Sequence, residues 1–118
     1  MITSKAQTGS KGEDLAVEFL RKNSFLICDR NWRNGRYEID IIAQKLYITH
    51  IIEVKTRSVS SYQTPEKSIT PTKIKSMRRA ATLYLAQHRI RTEVMFDLVA
   101  IDLFPDGTYD IRLIEDII

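Results

Sequence analysis

Two short segments, Glu38-Ile39-Asp40-Ile41-Ile42 and Ile51-Ile52-Glu53-Val54-Lys55, constrain this chain more than anything else in it. Each alternates charged with apolar residues, the period of a half-buried strand. In the first, Glu38, Asp40 and Ile42 share a face; in the second, Ile51, Glu53 and Lys55 do. Two carboxylates and a lysine are thereby set on sheet faces otherwise rich in isoleucine and valine. Charge at such positions requires pairing, a bound metal ion or chemistry, because an unpaired buried charge is strongly disfavoured. Lys55 lies on the same side of its strand as Glu53, with backbones about 7 Å apart at the usual rise. The register between the strands decides what these charges do. Asp40 opposite Lys55 makes a neutral pair, whereas Asp40 opposite Glu53 sets like charges together and is destabilising unless a cation intervenes.

Around this pair the sequence reads as helix, three strands, helix, two strands. Residues 1–9 read as a loose, flexible lead-in. Ser10-Lys11-Gly12-Glu13 then fits a capping box opening a helix to about Asn23, with Leu15, Ala16, Phe19 and Leu20 on its apolar face. Residues 25–31 have strand character and Asn34-Gly35 that of a turn. The charged strands, 37–43 and 47–56, are expected to pair antiparallel across a short connection. Residues 58–70 are polar, contain Pro65 and read as a loop. Thr70-Pro71 is a helix start, and Ile74, Met77, Ala81, Tyr84 and Leu85 recur at helical spacing to about His88. A strand over 94–103, a turn at Pro105-Asp106-Gly107 and a strand over 109–114 complete the chain. This order predicts an α/β sandwich with a mixed sheet, in one domain across 1–118.

At 118 residues and 43% hydrophobic content, the chain suits one compact core. Its net charge of +3 permits polyanion binding without demanding it. The distribution is more telling: Lys67, Lys73, Lys75, Arg78 and Arg79 crowd one segment, while Asp102, Asp106, Asp110, Glu115 and Asp116 load the C-terminal end. Phosphates are expected at the basic half. The single cysteine, Cys28, excludes an internal disulfide and a cysteine-rich zinc site, and within Phe25-Leu26-Ile27-Cys28 it reads as a buried, inert thiol. His50 and His88 lack the spacing of a metal pair, and no Ser-His-Asp arrangement, phosphate-cradling glycine loop or dinucleotide motif is present. The opening residues lack the apolar core of a signal peptide, and no stretch approaches the roughly 20 apolar residues of a membrane span. A cytoplasmic protein with no membrane partner is expected.

Phosphodiester hydrolysis requires a neutralised phosphate, a water made nucleophilic and relief of charge on the leaving oxygen. A hard divalent cation held by carboxylates supplies all three. Magnesium keeps several of its waters, so Asp40, Glu53 and the Val54 carbonyl are a sufficient protein share. Lys55 can then orient the attacking water or contact the phosphate. The competing reading is salt bridging across the sheet, and the pattern alone leaves both open.

The arrangement Asp40…Glu53-Val54-Lys55 resembles the signature of the PD-(D/E)xK nuclease superfamily, whose core has this order of helices and strands. Within it, the chain is similar to the YraN family of small bacterial proteins. The resemblance runs through Gly9-Ser10-Lys11-Gly12-Glu13-Asp14-Leu15-Ala16, Asn31-Trp32-Arg33, Glu38-Ile39-Asp40-Ile41-Ile42-Ala43, Glu53-Val54-Lys55-Thr56-Arg57, Lys73 and Phe96-Asp97-Leu98-Val99, which together span nearly the whole chain. That family is similar in turn to archaeal Holliday-junction resolvases, magnesium-dependent dimers that cut branched DNA.

The resemblance implies a restriction-endonuclease-like three-layer sandwich acting as an endonuclease on branched or structured DNA, with Mg²⁺ or Mn²⁺ as cofactor and a homodimer as the assembly. It implies Asp40 and Glu53 as metal ligands, Lys55 as the catalytic lysine and Glu13 as a glutamate brought from the first helix, although the capping box also explains Glu13. Glu38 belongs to the motif but equally suits a salt bridge to Lys55 or Arg57. Lys73, Arg57, Arg33 and Arg78 are the expected nucleic-acid contacts, with Lys75 and Arg79 read as a solvated face and Trp32 as core. Asp97 reads as a structural or supporting carboxylate. Tyr37 stands where the family usually has glycine, and its ring narrows the approach of a substrate backbone. Met95 replaces an arginine often found before the Phe-Asp pair. The rival reading is a non-catalytic nucleic-acid-binding or DNA-processing adaptor that keeps the fold.

Overall fold

The computed structural model describes residues 5–58 and 69–118 and arranges them as α1 (Lys5–Lys22), β1 (Leu26–Asn34), β2 (Tyr37–Lys45), β3 (Ile48–Ser58), α2 (Pro71–Gln87), β4 (Glu93–Leu103) and β5 (Tyr109–Ile114). The strands form one sheet in the order β1-β2-β3-β4-β5. All neighbours are antiparallel except β3 and β4, whose parallel pairing needs the crossover that contains α2. The β1–β2 and β2–β3 hairpins turn in two residues each. Gly35 takes φ 60° in the first, and Leu46 and Tyr47 take φ 50° and 66° in the second. Positive φ at such turns matches the right-handed twist of the flanking strands.

Side-chain alternation divides the core into two halves. Ile41, Ala43 and Ile52, with Val99 and Ile101 of β4, meet Ala16, Val17 and Leu20 of α1. Ile42 and Ile51, with Trp32 and Ile39, meet Ala80, Ala81 and Tyr84 of α2. One helix covers each face, so the predicted mixed-sheet sandwich is the observed fold. Trp32 is core, as expected, and sets its ring edge-on to Tyr84 at 5.3 Å. The second helix also starts where expected: the Thr70 hydroxyl accepts from the Lys73 N–H at 3.2 Å, and Pro71 takes the first turn. The Pro105–Gly107 turn closes with the Phe104 N–H on the Thr108 carbonyl at 2.9 Å.

Three expectations need correction. The first helix begins at Lys5, so Ser10–Glu13 lies inside it and makes no capping box. Lys5, Ala6 and Gln7 are good helix formers and extend the helix into part of the expected lead-in, whose residues 1–4 lie outside those described. Gly12, inside the helix, permits close packing rather than a cap. A Cβ there would fall 2.0 Å from Thr56 Oγ1 and 3.2 Å from Thr56 Cβ. Cys28 is exposed rather than buried. The ladder passes from Ile27↔Ala43 to Asp29↔Ile42, so Cys28 is the extra residue of a β-bulge, and its side chain leaves the apolar alternation. Partial burial and the nearby Asp29 push its thiol above the ordinary range, which disfavours a thiolate nucleophile. Of the expected loop, residues 59–68, with Pro65 and Lys67, lie outside the described residues.

Asp97 is structural, as one of its two readings held. It is fully buried on β4, meets His50 Nδ1 at 2.5 Å, and accepts from the Asp116 N–H at 3.0 Å. The Ile117 N–H donates to the Phe96 carbonyl at 2.8 Å beside it, so the C-terminal segment is fastened to the edge of the parallel pair.

The packing of α1 on β3 gives the first prediction. Gly12→Ala is expected to lower stability by about 1–3 kcal/mol in denaturant unfolding, despite the roughly 1 kcal/mol that alanine gains in an unhindered helix. Adding Thr56→Ala should recover part of the loss. An additive double variant would contradict the contact.

Candidate active site

β2 pairs with β1 from Tyr37 to Gln44, but with β3 only from Ile41↔Ile52 onward. Continuing that register by one step sets Asp40 opposite Glu53, the like-charge alternative of the two the sequence allowed. The strands part at this step. Asp40 Oδ2 accepts the Val54 N–H at 2.8 Å, so a side chain takes the place of the next ladder bond. Beyond the fork β3 stays in the sheet through β4, from Glu53↔Leu98 to Ser58↔Leu103.

Glu53 is buried, with 11% of its side chain exposed. Its Oε1 lies 3.6 Å from Lys55 Nζ and its Oε2 3.3 Å from Lys73 Nζ. Lys55 arrives from the same strand and Lys73 from the first turn of α2. Burial pushes the Glu53 carboxyl above its ordinary range, and the charge of Asp40 pushes it further; the two ammonium groups pull back. Burial also raises Asp40, against the Val54 N–H and the Lys73 charge.

Glu13 approaches from α1, on the other side of the sheet, and is half-buried. It takes a hydrogen bond from the Asn31 side chain, lies 4.0 Å from Arg30 Nη2, and is close enough to Asp40 for their charges to interact. Burial is the main cause of its raised carboxyl. With the helix starting at Lys5, capping no longer accounts for Glu13, and its surroundings tie it to the acidic pair instead. Asn31 enters the sequence reading only within the resemblance, with no role of its own. It sits on β1 between the pairs Arg30↔Ile41 and Trp32↔Ile39, hence opposite Asp40, with φ 53°. A left-handed backbone inside a strand is uncommon outside glycine, and asparagine tolerates it best. Gly12 was also misread, and it is what lets α1 carry Glu13 this close.

The remaining expected residues do not converge here. Arg57 follows the strand face as predicted, but its guanidinium is engaged by Asp102, with Nε to Oδ1 at 2.6 Å, and ties β3 to β4. Arg33 pairs across the hairpin with Glu38 at 3.4 Å, and both are exposed. Glu38 therefore joins neither Lys55 nor Arg57. Arg78 lies on the exposed side of α2.

The donor set is compatible with a hard divalent cation. Asp40 and Glu53 come from separate strands, carry mutual like charge, and Asp40 keeps Oδ1 without a hydrogen-bond partner among the described residues. No three His, Cys, Asp or Glu side chains among those residues form a cluster able to hold an ion by themselves. An ion would rest on the two carboxylates, with backbone and water completing its shell, which suits magnesium better than zinc.

Fold and site define a class: α/β proteins with a mixed sheet between two helices and, at a strand fork, a buried glutamate and a half-buried aspartate with lysines beside them. The chain belongs to the YraN family, described as "Uncharacterised protein family UPF0102", which matches residues 12–101. It is 42% identical to a UPF0102 protein of Flavobacterium psychrophilum over 93 residues, 79% of this chain and 78% of that one. It is 40% identical to one of Bacteroides fragilis over 108 residues, covering 92% and 88% of the two chains. A relative in Symbiobacterium thermophilum is 39% identical over 113 residues, covering 93% and 94%. No helix among the described residues is long and apolar enough to cross a membrane.

The raised carboxyls carry a stability consequence. A group that titrates higher in the folded chain holds its proton there after the unfolded chain has lost it. Stability then falls as pH rises from the ordinary carboxylate range through the raised value. Asp40→Asn keeps an acceptor for the Val54 N–H and removes the buried charge. Without divalent cation at pH 7 it is expected to be more stable than the parent by about 1 kcal/mol, the scale of gain seen when functional charge is removed. Equal or lower stability, measured by denaturant unfolding, would contradict the buried-charge account.

Proposed function

We propose that this protein is a metal-dependent endonuclease that hydrolyses phosphodiester bonds in branched or otherwise structured DNA. The observation that carries the reading is the meeting of Asp40 and Glu53 where β2 leaves β3, with Lys55 and Lys73 beside them. A protein that only bound a polyanion would gain nothing from buried carboxylates facing it. The spacing Asp40…Glu53-Val54-Lys55 and the order of elements support a place in the PD-(D/E)xK nuclease superfamily. The similarity to archaeal Holliday-junction resolvases supports branched DNA as substrate. It also supports a homodimer, since paired cuts at a junction need two centres.

In this reading Mg²⁺ or Mn²⁺, held by Asp40, Glu53 and the Val54 carbonyl, would act as Lewis acid toward the phosphate and lower the pKa of a water. The Val54 N–H fixes the orientation of Asp40. Lys55 and Lys73 hold Glu53 in place until an anionic phosphate enters; their ammonium groups then stabilise charge on its oxygens. Lys55, the more exposed of the two, positions the attacking water or contacts the scissile phosphate. Glu13, oriented by Asn31, offers a further carboxylate with a raised pKa to receive a proton.

A second reading has its own observation. Each oxygen of Glu53 faces an ammonium group, as in a salt-bridged relic of a nuclease site, so a non-catalytic DNA-binding or DNA-processing adaptor is the alternative. Four-way, flap, duplex and single-stranded DNA incubated with Mg²⁺ or Mn²⁺ separate the two. The nuclease reading expects cleavage that Glu53→Gln and Lys55→Ala each slow by about 100-fold or more, with circular dichroism unchanged. Parent-level cleavage in either variant contradicts the assigned roles. Metal-independent binding without cleavage, unaltered by Asp40→Asn, establishes the adaptor.

A further inference from the structure

The turn between β1 and β2 and the exposed side of α2 enclose a cleft of about 360 Å³, lined by Arg36, Tyr37, Thr72, Lys75, Ser76 and Arg79. The α2 residues fall at spacings of three, four and seven, so they form one stripe along the helix. Arg36 Nη2 donates to the Tyr37 hydroxyl at 3.0 Å, and its guanidinium lies 5.1 Å from the Tyr37 ring centre. The charges of Arg79 and Lys75 also reach that hydroxyl. Three cations thus converge on one concavity beside the hydroxyls of Tyr37, Thr72 and Ser76. On the sheet, Arg30, Arg33, Arg57 and Arg112 each have a carboxylate partner, whereas Arg78, Arg89 and Arg91 have none among the described residues but do not line this cleft. Arg36, Lys75 and Arg79 have none among the described residues, so an anion entering the cleft would meet three cations not already neutralised by carboxylates.

We infer that this cleft is a second phosphate site, which holds a backbone phosphate of the nucleic acid away from the bond to be cut. The ligand chemistry follows from the lining: cations to neutralise a phosphodiester and hydroxyls to donate to its oxygens. Tyr37 precedes Asp40 by three residues of β2, about 10 Å of strand, which sets the cleft a few nucleotide steps from the acidic pair. α2 joins the two places, because Lys73 faces Glu53 while Lys75 and Arg79 face the cleft. Tyr37, the bulky residue at a position where the family usually has glycine, becomes a ligand rather than an obstacle. Lys75 and Arg79, expected as a solvated face, become its partners. The inference rests on the proposed action on nucleic acid, but its test reads binding and not cleavage.

The experiment uses the full chain with Glu53→Gln, so that bound DNA is not cut, and measures fluorescence anisotropy of labelled duplex and four-way DNA across salt concentrations. Adding Lys75→Ala and Arg79→Ala is expected to raise Kd by about tenfold or more near 0.1 M salt and to flatten the slope of log K against log[salt] by about one to two. Tyr37→Phe should weaken binding by a smaller factor, about threefold, with the salt slope unchanged. Arg89→Ala with Arg91→Ala, in the connection from α2 to β4, should leave Kd and slope within twofold of the parent. Parent-like Kd and slope in the Lys75→Ala, Arg79→Ala variant overturn the inference, whether or not the parent chain cuts DNA. Loss of binding confined to DNA with a 5′-phosphate, and absent with a 5′-hydroxyl, overturns the backbone assignment in favour of a terminal phosphate. Cleavage by the Glu53→Gln chain itself defeats the proposed nuclease roles and leaves the Kd comparison to decide the cleft.

Discussion

The separation of β2 from β3 at Asp40 is the constraint on which the site depends. A ladder carried one pair further would set two carboxylates side by side in a poorly hydrated place, the least favourable cross-strand combination. The chain instead ends the ladder at Ile41↔Ile52 and gives the Val54 N–H to the Asp40 side chain. That bond satisfies the Val54 N–H, and no buried side-chain polar atom of the described residues is left without a partner. The fork is the opening into which α1 and α2 bring Glu13 and Lys73 from opposite faces. Burial favours protonation of these carboxylates, so their charged form depends on the lysines and backbone N–H set beside them.

Most of the architecture was readable from alternation and capping because those signals are local. The isoleucine–carboxylate alternation of β2 and β3, the Thr70-Pro71 start of α2 and the Pro105–Gly107 turn each depend on residues within one element, and each formed where expected. The register of β2 on β3 was open, since it depends on which strand ends meet across a two-residue turn at Leu46-Tyr47. Neither residue is a usual choice for positive φ, so the turn gave no signal. The first helix was placed too late because Ser10–Glu13 imitates a cap, while the true reason for Gly12 lies 44 residues away at Thr56. Cys28 was assigned to the core because a bulge shifts the side-chain phase, and a bulge has no period of its own.

The site residues divide on the same principle. Asp40, Glu53, Lys55 and Lys73 were legible because strand phase and helix position already set their direction. Asn31 was not, because its importance comes from facing Asp40 across a ladder and turning there with a left-handed backbone. Arg57 shows the opposite case. Its strand face was right, but Asp102 on the parallel neighbour holds its guanidinium. Charge on this protein therefore divides between the two ends of the sheet. The β3–β4–β5 side is neutralised pair by pair through Asp102, Arg57 and Arg112, whereas the α2 side keeps cations without carboxylates at Arg36, Lys75 and Arg79.

All of this turns on whether the acidic pair exists to take up a cation. Calorimetric titration of the folded chain with Mn²⁺, alone and with a non-cleavable DNA junction present, tests it most directly. The account predicts saturable uptake by the parent that Asp40→Asn abolishes while the fold persists. No uptake under either condition, or equal uptake by Asp40→Asn, would contradict it.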